Sequence, residues 1–132
     1  MAIQYSAKIE EGTVPNTFMT GDVSYKKQTS DIHPENTIIK DVSFAPGARS
    51  NWHSNTGLQL IIVTEGEGYY QERGGKINLI QKGQVLTILP GVEHWYGATP
   101  ERSYSHITIV TEIDKGSGIW MESVTDEEYY SF

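Results

Sequence analysis

The chain of 132 residues contains no cysteine. Disulfide bonds, thiolate metal sites and a cysteine nucleophile are therefore excluded. The sequence also lacks an apolar run long enough to cross a bilayer, and its first residues lack the basic start and apolar centre of a signal peptide. We therefore expect a cytoplasmic protein without a membrane partner.

Clustered positive charge is also missing. The formal net charge is −7, from 10 basic and 17 acidic residues, and the largest basic cluster is the Lys26-Lys27 pair. Binding to a nucleic-acid backbone requires clustered lysine and arginine. We expect no nucleic-acid partner, which leaves a small-molecule ligand as the simplest alternative.

Sustained helical periodicity is absent from most of the chain, in which 13 glycines and 5 prolines separate short β-rich runs. Many short strands at regular spacing predict an all-β sandwich or barrel, and the length fits a single domain over residues 1–132. Glu67–Arg73 is predicted to be the return arm of a hairpin whose first arm is Leu58–Val63. The remaining predicted strands are Phe18–Lys26, Thr37–Phe44, Lys76–Ile80, Gln84–Leu89, His94–Ala98 and Tyr104–Ile113.

The C-terminal end is the one helix candidate. Thr125 and Glu128 have the spacing of a capping box, and Asp126 and Glu127 suit the positive end of a helix dipole. A short C-terminal helix is therefore predicted.

Two predicted strands, Leu58–Val63 and Gln84–Leu89, are apolar on both faces. One face of an antiparallel sheet normally meets water, so a second layer must cover these strands. A partner subunit or a packed terminal segment could supply it, and we predict a homodimer.

Polar side chains gather around the start of this apolar region. His53 and Asn55 are two residues apart, so on a strand they share one face, and Gln59 has the same parity. Imidazole is a common ligand of transition metals, whereas an amide oxygen is a weak, neutral donor. These residues are consistent with a metal site, or with polar groups that hydrogen-bond to each other in a cavity.

Two segments resemble the motifs of the cupin family. In residues 47–66, the spacing of Gly47, His53, Gln59 and Gly66 matches the first cupin motif, with Asn55 in place of its second histidine. In residues 83–98, Pro90-Gly91-Val92-Glu93-His94 resembles the second motif, whose closing asparagine is Ala98 here. The resemblance implies an antiparallel cupin β-barrel of the jelly-roll type.

The similarity extends to a subgroup of small bacterial cupins that accompany carboxymuconolactone decarboxylase-like proteins and include metal-dependent hydroxynitrile lyases. In that subgroup three histidines and a glutamine hold a divalent transition metal, commonly manganese or iron. The resemblance implies a metal (Mn, Fe, Ni or Zn) at His53, Asn55, Gln59 and His94. It also places His106 at the position of the catalytic base.

The resemblance therefore favours a metal-dependent enzyme, lyase- or isomerase-like, that acts on a small polar organic molecule. The metal would act as a Lewis acid and His106 would move a proton. One alternative is a metal-free binding protein, which the loss of the second histidine favours. A further alternative is an accessory partner of a decarboxylase-like protein.

Two further residues are candidates for substrate binding. Lys40 shares the phase of the apolar positions Ile38, Val42 and Phe44, so it either points inward towards an anionic substrate or extends to solvent. Tyr96 shares parity with His94 and is expected to line the pocket. The parity of Tyr104, His106 and Thr108 does not by itself reveal which face of their strand points inward.

Overall fold

Two antiparallel sheets share one long strand and curl into a barrel. A computed structural model describes residues 8–29, 37–111 and 118–132. His33 lies outside this part of the chain. The strands of the described residues are β1 (Lys8–Thr13), β2 (Met19–Thr20), β3 (Val23–Thr29), β4 (Ile38–Phe44), β5 (Arg49–Ser50), β6 (His53–Ser54), β7 (Gln59–Glu72), β8 (Asn78–Gln81), β9 (Val85–Ile88), β10 (His94–Ala98), β11 (Tyr104–Val110) and β12 (Ile119–Trp120).

The first sheet has the order β1-β3-β4-β11-β7-β9, and the second contains β8, β7, β10, β5 and β2 in sequence; β6 also pairs with β10, and β12 pairs with β6. Every described strand pair is antiparallel. The predicted all-β fold class, an antiparallel barrel with one short C-terminal helix, is confirmed.

The predicted hairpin between Leu58–Val63 and Glu67–Arg73 is wrong, because both segments belong to the 14-residue strand β7. Gly66 has a positive φ of 75°, and a β-carbon there would collide with the Ser103 carbonyl oxygen. The register against β11 shifts nearby, since Ser105 faces Glu65 while His106 faces Val63. Glycine therefore bends the strand from one sheet into the other instead of reversing it.

The predicted strand Phe18–Lys26 is also divided, into β2 and β3. Gly21 lies between them with φ 85°, and a β-carbon there would lie 2.9 Å from the Cα of Ala48. The break lets β2 pair with β5 while β3 pairs with β4. The remaining predicted strands appear with ends shifted by a few residues, and residues 112 and 113 of the last one lie outside the described part.

Buried apolar side chains form two clusters. The first fills the barrel interior and includes Val42, Phe44, Ile61 and Tyr104. The second lies behind the second sheet, where the C-terminal segment covers it; its buried members are Trp52, Tyr69, Ile77, Trp95, Val124 and Tyr129. This covering segment explains why all five residues of β10 are buried.

The outer face of the first sheet has no such cover within the described residues. Apolar side chains of adjacent strands lie side by side on this face. In register, Ile109 pairs with Ile39 and Leu60, and Ile62 pairs with Ile107 and Val85. Val85 is 62% exposed. We call this surface the outer patch; it consists of Ile39, Leu60, Ile62, Val85, Ile107 and Ile109.

The predicted C-terminal helix is confirmed as α1 (Asp126–Tyr129). The Glu128 amide donates to the Thr125 hydroxyl at 3.1 Å, and the Thr125 amide donates to the Glu128 carboxylate at 3.0 Å. In the described ranges, the chain has no helix with the length and apolar character needed to cross a bilayer.

Candidate functional site

Two histidines from the two motifs face each other inside the barrel. His53 on β6 and His94 on β10 are directly paired in register, and their ring centres are 4.3 Å apart. Both are almost fully buried, with 3% and 0% exposure. The pairing of a short strand with β10 therefore brings together residues that are 41 positions apart in the sequence.

Backbone carbonyls fix the tautomers of both rings. Nδ1 of His53 lies 2.9 Å from the Asn51 oxygen, and Nδ1 of His94 lies 2.8 Å from the Val92 oxygen. A carbonyl only accepts, so each Nδ1 must carry a hydrogen. Burial lowers the pKa of both rings, that of His53 to about 3, so both are neutral at pH 7 and Nε2 keeps its lone pair.

Gln59 lies between these rings and the neighbouring strand. Its Nε2 donates to the Thr108 hydroxyl at 2.8 Å and, at 3.4 Å, to the hydroxyl of Tyr96. Its Oε1 therefore points the other way, 3.1 Å from Nε2 of His94. With His94 neutral, these two atoms are both acceptors, so neither supplies the hydrogen that would hold them together.

Asn55, in the position of the motif's second histidine, is oriented towards Gln59. Its Nδ2 donates to Gln59 Oε1 at 2.8 Å. The amide therefore presents its nitrogen, and not a ligand oxygen, to the polar centre. Tyr96, which is 6% exposed, places its hydroxyl 3.2 Å from Nε2 of His53, to which it can donate.

The donor set partly fits a divalent cation. Within the part of the chain that the structure describes, no three His, Asp or Glu side chains converge, so a metal here would need amide donors. Two buried acceptors 3.1 Å apart, His94 Nε2 and Gln59 Oε1, would suit neighbouring ligands of one cation, which would offset their mutual repulsion. His53, Gln59 and His94 fit such a group, whereas Asn55 as oriented does not.

His106 lies on the inner face of β11. The burial pattern along this strand places Tyr104, His106 and Thr108 inside, which answers the question that parity left open. The His106 ring is fully buried and packs edge to face against Tyr96, with 4.8 Å between ring centres. Its Nδ1 lies 2.7 Å from the Tyr104 hydroxyl, and its Nε2 has no partner among the described residues.

Lys40 lies on β4, where it pairs in register with Thr108 of β11. It is half-buried on the β3 side of β4, with Nζ 6.0 Å from the centre of the Tyr25 ring. Burial, and secondly the charge of Lys27, lowers the pKa of Lys40. One open groove is lined by residues of β1, β3 and β4, and a second is lined by these strands, the loops next to them and Ser103; neither groove contains Lys40 or the histidines.

Three contacts of the site were not predicted from the sequence. Thr108 anchors Gln59 and Tyr104 holds His106, and both share the parity of His106, which is the signal that could have identified them. Trp120 stacks on the His53 ring at 4.6 Å and is 39% exposed. Because Trp120 follows both motifs at a distance, no spacing pointed to it.

The chain belongs to the cupin family. The family model described as a cupin domain matches residues 40–110, which include both motifs. The chain is 36% identical over 129 residues to an (R)-mandelonitrile lyase from Granulicella tundricola, with 98% of each chain covered. The resemblance to the cupin family that the two motifs indicated is thereby confirmed.

Solved structures agree with this assignment. A cupin-like protein from Thermotoga maritima is 45% identical, with a TM-score of 0.86 over 91% of this chain and 92% of that one. A predicted oxalate decarboxylase from the same organism has a TM-score of 0.70 at 19% identity, with 84% and 99% covered. At that identity, the second likeness supports the fold alone.

Proposed function

We propose that this protein is a metal-assisted enzyme, lyase- or isomerase-like, that acts on a small polar organic molecule inside the barrel. The observation that carries the proposal is the facing pair of acceptors, Nε2 of His94 and Oε1 of Gln59, 3.1 Å apart. Two buried acceptors at this distance repel unless a cation or a proton lies between them. The full-length similarity to an (R)-mandelonitrile lyase supports lyase chemistry.

His53, Gln59 and His94 are the residues that would hold the metal. A bound divalent ion supplies a Lewis acid that polarises an oxygen or nitrogen of the ligand. The Nδ1 hydrogen bonds of both histidines fix the ring planes and keep Nε2 free as a donor atom. Thr108 orients the Gln59 amide so that its oxygen faces His94.

Tyr96 and His106 are further inward-facing groups beside the proposed metal ligands. The Tyr96 ring packs against the rings of His53 and His106, and its hydroxyl lies 3.2 Å from Nε2 of His53. We propose Tyr96 as a substrate-binding residue and His106 as the group that contacts the reacting atoms of the substrate through its unpartnered Nε2. The half-buried Lys40 stays a candidate for an anionic substituent that reaches the β3 side.

One experiment combines metal content and turnover. The purified chain is loaded with Mn²⁺ and analysed by elemental analysis, and cleavage of (R)-mandelonitrile is followed by the absorbance of benzaldehyde. His53→Ala and His94→Ala should lose the metal and the turnover together. His106→Ala should keep the metal and lose about 10²-fold or more in turnover. Equal turnover with and without metal would contradict the proposal.

A metal-free binding protein is the second candidate, and specific contacts favour it. Asn55 already donates to Gln59 Oε1, and Tyr96 can donate to Nε2 of His53, so protein groups satisfy part of the donor set. This candidate predicts ligand binding without metal and no turnover of mandelonitrile. The same metal analysis therefore distinguishes the two.

A further inference from the structure

Tyr104 and His106 form a closed pair in the barrel wall. The Tyr104 hydroxyl and His106 Nδ1 are 2.7 Å apart, and the two side chains are 1% and 0% exposed. Among the described residues, neither the hydroxyl nor Nδ1 has a second partner, and Nε2 of His106 has none. The pair shares two hydrogens, one of the phenol and one of the neutral imidazole. Their positions determine whether Nε2 of His106 donates or accepts a hydrogen bond towards a ligand.

Two arrangements of these hydrogens are available. In the first, Tyr104 donates to Nδ1, so the neutral ring carries its hydrogen on Nε2. In the second, Nδ1 carries the hydrogen and donates to the Tyr104 oxygen, so Nε2 is bare and the tyrosine hydrogen has no acceptor. The first leaves one buried polar group unpaired, and the second leaves two.

Each unpaired buried group disfavours its arrangement. One additional unpaired group reduces the population by a factor of about 5 to 150. The first arrangement therefore dominates. Burial excludes the charged forms of the pair, because it lowers the pKa of His106 to about 3 and raises that of Tyr104, so that only these two neutral arrangements compete.

We infer that Tyr104 holds His106 in the Nε2–H tautomer, and that neutral His106 acts as a hydrogen-bond donor to an oxygen or nitrogen of the ligand. This inference rests on the proposed function for the presence of a ligand in the barrel. It changes the role of His106 from the base expected from the sequence to an electrophile. The ligand class is a small molecule with an acceptor, such as a carbonyl, alkoxide or nitrile.

The chemistry of such a donor involves no net proton transfer. A neutral imidazole whose Nε2–H faces an atom that gains negative charge stabilises that charge while its own N–H bond remains intact. A base would need a bare Nε2, which the Tyr104 hydroxyl disfavours. Tyr104 is thus a positioning residue, since it acts on the ligand only through His106.

The tautomer can be observed directly by NMR. The full-length chain is labelled with ¹⁵N and supplemented with diamagnetic Zn²⁺, and the two ring nitrogens of His106 are identified by comparison with His106→Gln. We expect Nε2 to give the protonated-nitrogen shift and Nδ1 the bare-nitrogen shift. The opposite pattern would overturn the inference, whether or not any turnover is found.

Tyr104→Phe tests the cause. Without the hydroxyl, Nδ1 loses its only described donor, and the fraction of the Nδ1–H tautomer should rise at least severalfold. Tyr129→Phe is the matched control, because Tyr129 is also fully buried and donates to the Ala98 carbonyl on the other side of the wall. Tyr129→Phe should leave the ¹⁵N chemical shifts of the His106 ring unchanged. An unchanged tautomer in Tyr104→Phe would show that Tyr104 does not determine the tautomer of His106.

These outcomes are separate from those of the proposed function. The ¹⁵N pattern is read without substrate and without turnover, so a protein that fails to cleave (R)-mandelonitrile can still support the inference. Conversely, a metal-loaded enzyme with a bare Nε2 on His106 would support the proposed function with His106 as a base and overturn the donor role.

Discussion

Asn55 donates its side-chain N–H to Gln59 Oε1 over 2.8 Å, and it does so from the position that a histidine holds in the first cupin motif. The same oxygen lies 3.1 Å from His94 Nε2. Asn55 thus competes for an oxygen that a metal would need. The effect of this one position is the most direct test of the metal site.

Asn55→His should increase the affinity for Ni²⁺ or Zn²⁺ by about tenfold or more, because an imidazole replaces a weak amide and releases the Gln59 oxygen. Isothermal titration with each ion measures the change. Asn78→His, on an exposed position of β8, is the control for a histidine that merely adds surface binding. An affinity equal to that of the control would mean that position 55 does not reach the metal.

Acid should destabilise the protein through His106. The pKa of an unfolded histidine is about 6.5, whereas burial lowers the pKa of the folded His106 ring to about 3. Between these values the unfolded state binds more protons, so the free energy of unfolding falls as the pH falls. The free energy of unfolding should therefore be about 2 kcal/mol lower at pH 5 than at pH 7.5 through His106 alone.

Urea unfolding of wild type and His106→Gln at pH 7.5 and 5.0 checks the size of this effect. The drop in unfolding free energy between the two pH values should be smaller in the variant by about 2 kcal/mol. Identical drops would show that the folded His106 ring titrates as it does in water.

Arg49 fastens the C-terminal helix to the barrel. Its guanidinium donates to the Val124 carbonyl at 2.9 Å and to Asp126 at 2.7 Å, and it lies 4.3 Å from the centre of the Tyr129 ring. The Arg49 side chain is 5% exposed, whereas that of Asp126 is 84% exposed. The two partners should therefore contribute unequally.

Arg49→Met should lower the free energy of unfolding by about 2–4 kcal/mol, because it leaves a buried carbonyl unpaired and removes the stacking on Tyr129. Asp126→Asn should cost less than about 1 kcal/mol, as is typical of an exposed ion pair. Thermal and urea unfolding of both variants measure this difference. Equal decreases in the free energy of unfolding in the two variants would show that the Arg49–Asp126 ion pair, and not the buried contacts of Arg49, provides the stabilisation.

The outer patch is our proposed contact between two copies of the chain. Its apolar side chains come from four neighbouring strands, and the C-terminal segment, which covers the second sheet, leaves it open. Burial of such a surface is favourable by about 25 cal/mol per Å². A second copy would provide the layer that the apolar sequences of β7 and β9 require.

Light scattering at micromolar concentration should therefore give the mass of a dimer. Val85→Lys should convert it to a monomer, because Val85 is 62% exposed in the single chain and lies within the outer patch. Leu79→Lys, on β8 of the other sheet, should leave the dimer intact. A monomer in the wild type would contradict the proposal.

Local patterns predicted the strands where alternation was clear. β4 and β10 were placed to within one residue, and the capping box located α1. The continuity of β7 was not predictable from local pattern, because Glu65-Gly66 has the composition of a turn. Only the contact with Ser103, from a distant segment, shows why glycine is needed there.

The site was predictable as a set of residues but not as a set of hydrogen bonds. Motif spacing identified His53, Gln59 and His94, which the structure brings together. The direction of the Asn55 amide depends on Gln59, and the tautomer of His106 depends on Tyr104. Such directions follow from tertiary contacts, which neither spacing nor parity contains.

Trp120, which packs against His53, provides an intrinsic fluorescence signal next to the polar centre. Trp52 and Trp95 are buried in the cluster behind the second sheet, whereas Trp120 is 39% exposed and contacts a ring of the polar centre. Its emission should respond to molecules that reach His53. Libraries of aldehydes, nitriles and hydroxy acids can thus be surveyed for binding before any reaction is known.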